Sequence, residues 1–292
     1  MPIPSGFEHI TREKEPLAPY TWLRLGGPAQ YFAEPTSVDE LTRLVKRCHK
    51  DGIPVRVLGG GSNVLVRDEG VTGLVLHLGA AAFGKIAVAG KRLTAGGGAK
   101  LAHVISTAVR EGLGGLEHLA GIPGTIGGAL HTNAGTHGGD IGQATASATM
   151  LTRSGEVVTR SRPDLRFGYR DSSLDELVLL EATFELEPRD SAALTKLLQQ
   201  TWILKRASQP AGDVGAGCIF KNPGGTTAAS LIEQSLPDGA RSGDAEISLG
   251  SANFIVVGPR GKASDVITLI EQVRSTVAEK TGVELEPAIE IW

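Results

Sequence analysis

Apolar residues recur at Leu41, Leu44, Val45 and Cys48, the spacing that gathers side chains onto one face of a helix. Ser37-x-x-Glu40 supplies a capping-box pattern ahead of them, and Gly52 and Pro54 close the stretch, so the sequence predicts a helix from Val38 to Lys50. Tyr31 to Ala33 before it and Val55 to Leu58 after it have strand character, giving a βαβ-like unit whose second strand runs into a glycine loop. Ligands of open α/β sheets usually sit at such strand ends. Downstream, an apolar strand (Leu74 to Leu78) and a hairpin (Ile86 to Ala95, turning at Ala89-Gly90-Lys91) precede a helix from Leu101 to Gly112 that gathers Leu101, Val104, Ile105 and Ala108. Strands are predicted at Ala146 to Thr152, Glu156 to Arg160 and Leu177 to Glu187, then a helix from Ser191 to Lys205 on Leu194, Leu197, Leu198 and Trp202. The remainder reads as a short helix near Ala228 to Gln234, strands Glu246 to Leu249 and Asn253 to Val257, a helix from Ser264 to Lys280, and a closing strand from Val283 to Ile291. The fold class is therefore α+β.

Two segments break this periodicity with glycine: Leu58-Gly59-Gly60-Gly61-Ser62-Asn63-Val64-Leu65, and the longer run from Gly115 to Gly135. Residues without a Cβ let backbone N–H groups turn around an anion, although the same glycines can serve turns and close packing. Neither loop has the spacing of a dinucleotide fingerprint or a P-loop, and Gly258-Pro259-Arg260-Gly261-Lys262-Ala263 lacks the hydroxyl that would bind Mg²⁺ and reads as a turn. A chain of 292 residues can bury more than one core, and a formal charge of −3 gives no basic excess for nucleic acid. No apolar run has membrane-spanning length and the first residues lack a secretory pattern, so a cytoplasmic chain is expected. Cys48 completes the first helical stripe and reads as a buried hydrophobe, whereas Cys218 sits in the glycine-rich run GAGCIFKNP. No disulfide and no metal site is expected from two such cysteines and scattered histidines.

The motifs LGGGSNVL, GIPGTIGGALHTNAG, FGYRDS and GCIFKNP, in this order, between Thr21-Trp22-Leu23-Arg24-Leu25-Gly26-Gly27 and a terminal LEPAIEI, resemble the UDP-N-acetylenolpyruvoylglucosamine reductase family in its compact subtype. The resemblance implies an FAD-binding two-lobe domain of the vanillyl-alcohol-oxidase (PCMH) type, with lobes at 1–73 and 74–203, and a smaller α+β substrate-binding domain at 204–283. Residues 284–292 would return to the FAD-binding part. It implies FAD held by Leu58, Gly59, Gly60, Gly61, Ser62, Asn63, Val64 and Leu65, and by Pro123, Gly124, Gly127, Gly128, Asn133, Ala134 and Gly135. The flavin is expected to be non-covalent, because Ser62 and Asn63 stand where some members of the broader fold carry a linking histidine. NADPH would be the hydride donor and UDP-N-acetylglucosamine-enolpyruvate the acceptor, in peptidoglycan precursor synthesis, with the protein acting as a monomer.

Hydride addition to the enolpyruvyl C3 leaves negative charge at C2 that spreads into the carboxylate, and this needs a cation and then an acid. Arg170 matches the family arginine for the first role, the plainer reading being a surface ion pair with Asp171 or Asp164. Cys218 stands where most of the family has a proton-donating serine, and a thiol of pKa about 8.5 keeps a transferable proton at neutral pH. The family's C-terminal glutamate is replaced by Ala288, and Glu286 is the substitute chosen over Glu290. Tyr169, Lys221 and Asn222 match substrate-contacting positions, and Lys205, Arg206 and Arg241 could add positive charge. His131 and His137 border the second loop and read as structural. Two other functions compete: a different flavin oxidoreductase or oxidase of the same fold, or a nucleotide-sugar binding protein that has lost catalysis.

Overall fold

The computed structural model describes residues 6–136, 138–207, 209, 218–248 and 250–292, apart from the side chain of Arg206. His137, Leu249 and most of the glycine-rich stretch before Cys218 lie outside the described residues. The chain forms two compact units, one built from Met1–Glu15, Gln30–Gly60 and Thr72–Lys205, the other from Pro16–Ala29, Gly61–Val71 and Arg206–Trp292.

The first unit holds two large sheets beside smaller two-stranded pairings. In the four-stranded one the order is Thr11–Pro16, Pro28–Ala33, Val71–His77, Val55–Leu58, and the last two run parallel with Val55 opposite Leu74. Helix α1 (Val38–Lys50) has the predicted bounds and buries Leu41, Leu44, Val45 and Cys48 against Tyr31, Leu74 and Leu76. Its cap also forms, with Ser37 Oγ accepting from Glu40 N–H at 3.2 Å, while Glu40 reaches back to Thr36 N–H at 2.7 Å. The second sheet is antiparallel, in the order Val157–Ser161, Thr145–Leu151, Val178–Glu185, Arg92–Gly96, Ile86–Ala89. Val178, Leu180, Ala182 and Phe184 are buried on alternate positions, as the period of a one-sided strand requires. Helix α2 (Leu101–Arg110) and the short helix α3 (Ile126–His131) share a core with Ala148, Met150, Ala182 and Phe184. Helix α4 (Ser191–Ala207) forms, but its expected stripe does not all reach the core. Leu194 is buried and Leu198 packs on the core, whereas Leu197 and Trp202 are exposed, because the helix buries only one edge of its apolar face.

In the second unit α5 (Ala228–Ser235) and α6 (Ala263–Thr281) pack with an antiparallel sheet of Arg241–Ser242, Ala245–Ile247 and Ile255–Val257. The Asp68 carboxylate accepts from Ala263 and Ser264 N–H at 2.8 and 3.0 Å and so caps α6 from a segment nearly two hundred residues upstream. Burial would raise the Asp68 pKa, but these bonds outweigh it and hold the carboxyl below its usual range. The closing strand is shorter than expected: only Glu290–Ile291 pairs, parallel to Val64–Leu65. Pro287, with no N–H to donate, makes a single bridge opposite Phe220 and interrupts the ladder. No helix among the described residues is long and apolar enough to cross a membrane.

Candidate functional site

In the first unit the two glycine loops meet backbone to backbone. A Cβ on Gly60 would come within 2.8 Å of the Gly124 Cα, and one on Gly59 within 2.7 Å of Thr125 Oγ1, so side chains at these positions would force the loops apart. The N–H groups of Gly59 and Gly60 donate to no acceptor among the described residues. That is a cradle of free donors in which only glycine fits, and it suits a diphosphate. Thr125 was not singled out by the sequence; its signal is the N-cap position, where Oγ1 accepts from Gly128 N–H at 3.4 Å at the start of α3.

The remaining glycines of the second loop divide by role. Gly127 N–H donates to Gly97 O at 2.8 Å, which locks α3 onto the neighbouring turn. A Cβ on Gly135 would press on Asp140 and Gly139, so that glycine serves close pairing of Gly135–Thr136 with Gly139–Asp140. Gly128 instead has room for a Cβ, whose nearest neighbour would be Thr125 Oγ1 at 3.8 Å. Pro123 is exposed at the loop and Ala134 is buried, its N–H bonded to Ala129 O. Asn133 is 2 % exposed and has both amide atoms engaged: Nδ2 donates to Gly168 O at 2.7 Å and Oδ1 accepts from Gly142 N–H at 3.1 Å. His131 holds Leu174 O at 3.2 Å through Nδ1, a structural bond. Burial pushes the His118 pKa down, so this ring stays neutral at pH 7.

Arg170 lies in a two-residue turn between Phe167–Gly168 and Asp171–Ser172. Its φ is +56°, a left-handed conformation that ordinarily falls to glycine or asparagine. Among the described residues it makes no ion pair, and Asp164 is occupied by Ser161, so the surface pairing weighed from sequence is not formed. Tyr169 beside it is 60 % exposed.

In the second unit the segment after Cys218 lies antiparallel to the C-terminal one. Lys221 N–H donates to Glu286 O at 2.8 Å, Ala288 N–H to Ile219 O at 2.7 Å, and Lys221 Nζ meets Glu286 Oε1 at 2.6 Å. Asn253, 5 % exposed, grips the Phe220 backbone twice at 2.9 Å, donating to its carbonyl and accepting from its N–H. The sequence reading missed this residue; a polar side chain opening an apolar strand was its only trace. Cys218 is exposed, with a thiol free of any disulfide. Asn222 Oδ1 accepts from Ala228 N–H at 3.0 Å and so caps α5. The Gly61 to Leu65 end of the first glycine loop belongs to this unit: Asn63 Nδ2 donates to Ala288 O at 2.9 Å, and Asn63 O accepts from Glu290 N–H at 2.9 Å. Glu290 itself holds the Trp292 indole N–H, and Arg241 is bound locally to Gly243 O and Asp244.

Comparison with known proteins adds an independent line. Residues 209–292 match the C-terminal domain of UDP-N-acetylenolpyruvoylglucosamine reductase, and residues 29–161 match an FAD binding domain. The UDP-N-acetylenolpyruvoylglucosamine reductase 2 of Symbiobacterium thermophilum is 44% identical over 96% of this chain and 92% of its own length. The UDP-N-acetylenolpyruvoylglucosamine reductase of Rhodopirellula baltica is 37% identical over 99% of this chain and 95% of its own. A crystal structure of the Thermus caldophilus reductase superposes with a TM-score of 0.84 at 35% identity, over 97% of this chain and 99% of that one.

Proposed function

This chain belongs to the UDP-N-acetylenolpyruvoylglucosamine reductase family, and we infer that it reduces the enolpyruvyl C=C of UDP-N-acetylglucosamine-enolpyruvate with NADPH, in peptidoglycan precursor synthesis, using Arg170 and Cys218. FAD is its cofactor, and when bound it would supply the hydride relay between NADPH and C3 of the enolpyruvyl group. The residues fit that group: Gly59 and Gly60 offer N–H donors to its diphosphate and pack on the turn at Gly124 and Thr125, and Gly61 to Leu65 and Gly128 are assigned to the same cofactor.

Arg170 receives the substrate carboxylate. Its guanidinium is always charged, has no competing carboxylate among the described residues, and presents a fork to the two oxygens as negative charge builds at C2. Cys218 hands its thiol proton to C2. Lys221 and Asn222 bind the sugar nucleotide with Tyr169, and the Lys221 ammonium must exchange Glu286 for a phosphate oxygen when it does so. That exchange frees the Glu286 carboxylate to stand in for the one absent at Ala288. The protein works as a cytoplasmic monomer.

The observation that carries this reading is the fit of Gly60 on Gly124 beside unengaged N–H groups, in a chain that aligns with its relatives along nearly its whole length. The test is an absorption spectrum of purified protein taken alone, after NADPH, and after substrate. Flavin bands that bleach with NADPH and return with substrate are expected. Bands that bleach and recover only with O₂ would make it an oxidase. Recovery with neither would leave a nucleotide-sugar binding protein, the reading that Ala288 favours.

A further inference from the structure

The hairpin that carries Arg170 pairs Phe167–Gly168 with Asp171–Ser172, extended by Ser173 N–H donating to Arg166 O at 2.9 Å, far too little to stand alone. It also holds a non-glycine residue at φ +56°, which persists only where the surroundings over-determine it. Two of its ties lead to the end of α3, while Arg160 Nη1 donates to Ser173 O at its base at 3.0 Å. Asn133 Nδ2 donates to Gly168 O at 2.7 Å, and Ser172 Oγ donates to His131 O at 2.9 Å. On the other side Asn133 Oδ1 takes the Gly142 N–H, and Gly142 has no room for a Cβ because the Phe167 ring occupies that space. Asn133 is itself left-handed, at φ +43°, and buried. Six residues of α3, about 9 Å of rigid helix, separate it from the glycine turn at Gly124 and Thr125.

We propose that Asn133 is a positioning residue: it fixes the turn that presents Arg170 and ties it, through α3, to the loop that receives the cofactor diphosphate. This deepens the reading of Arg170 given above and rests on it. The side chain is spent on Gly168 and Gly142, so it sets the arginine rather than touching flavin. A rigid link of this kind keeps the carboxylate-binding fork in register with the hydride donor, and small errors in such a register are costly in rate.

The test compares FAD-loaded wild type, Asn133→Asp, Arg170→Ala and the double variant. Asp keeps the acceptor for Gly142 N–H and tolerates a left-handed φ, but it turns an acceptor toward Gly168 O. Three quantities are read: FAD affinity by flavin fluorescence, the rate of reduction by NADPH, and the rate of reoxidation by substrate. In apoprotein, hydrogen exchange of the 165–173 peptide is measured as well. Asn133→Asp is expected to speed that exchange and slow reoxidation about thirtyfold, with FAD affinity and NADPH reduction unchanged within about threefold. In the Arg170→Ala background it should add less than about twofold, because a residue that acts through Arg170 has nothing left to position. A tenfold loss of FAD affinity, or a full further loss in that background, overturns the proposal. If Asn133→Asp does not fold, Ser172→Ala removes the other tie and is held to the same pattern and the same refutation. Wild-type reoxidation by Arg170→Ala alone would sink the underlying reading of Arg170 as well, and is distinguishable because it involves no change at Asn133.

Discussion

Cys48 and Cys218 share a side chain and little else. Cys48 is fully buried on α1, where desolvation pushes its pKa up to about 11, while Cys218 is exposed at the start of the segment that carries Lys221 and Asn222. A thiol reagent at pH 8 should therefore titrate one cysteine per native chain and the second only after unfolding; two fast-reacting thiols in folded protein would contradict the placement. If Cys218 supplies the proton, Cys218→Ser stays active, whereas Cys218→Ala still accepts hydride from NADPH but turns over poorly. Solvent deuterium delivered to C2 at near the parental rate by Cys218→Ala would assign the proton to another group. Arg170→Lys should lose about 2.7 to 4 kcal/mol in the substrate half-reaction only, since a point charge cannot reproduce the fork. Reoxidation within about threefold of wild type would remove Arg170 from the chemistry. At this scale the sequence showed which side-chain chemistries were present, and family motifs named them. It was silent on Thr125 and Asn253, whose importance comes from backbone groups that fold against them from elsewhere.

Among the elements, α1 was legible to the residue because cap, stripe and stop signals agree, and each is local. The structure adds an ionic detail. The Thr36 N–H bond holds the Glu40 carboxyl below its usual pKa, burial opposes this, and His9 at 2.8 Å and the Thr36 hydroxyl support it. A folded-state pKa below the unfolded one stabilises above the unfolded value near 4.3 and is lost as pH falls through the lower, folded value. Glu40→Gln should therefore cost about 1 kcal/mol in urea unfolding at pH 7, a penalty that shrinks below about pH 4. A penalty that grows on acidification would show that the carboxylate is not the stabilising form. By contrast α3 was hidden, because Gly127 and Gly128 argue against a helix that forms only through bonds to Gly97, Ala99 and Thr125. The Arg170 hairpin was hidden for the same reason, its turn lacking the glycine or asparagine that would announce it.

For the whole molecule, periodicity showed alternating helices and strands but not which distant segments fold together. Pro16–Ala29 and Gly61–Val71 join Arg206–Trp292 in one unit through pairs such as Arg67 N–H to Trp292 O at 3.0 Å, and no local pattern encodes a partner that far along the chain. The cofactor makes a prediction at this scale: with Ser62 and Asn63 in place of a linking histidine, acid or heat should release FAD into the supernatant. Yellow colour that stays with precipitated chain would refute the non-covalent assignment. The pairing of Asn63 with Ala288, and of Leu65 with Trp292, also sets an order of events during biosynthesis. The Gly61 to Leu65 limb of the glycine loop leaves the ribosome early, yet the partner of Asn63 follows 225 residues later, so a nascent chain carries that limb unsupported. A chain cut before Ala288 should therefore hold FAD more weakly than the full chain when both are titrated by flavin fluorescence, and equal affinity would show that the limb does not need these partners.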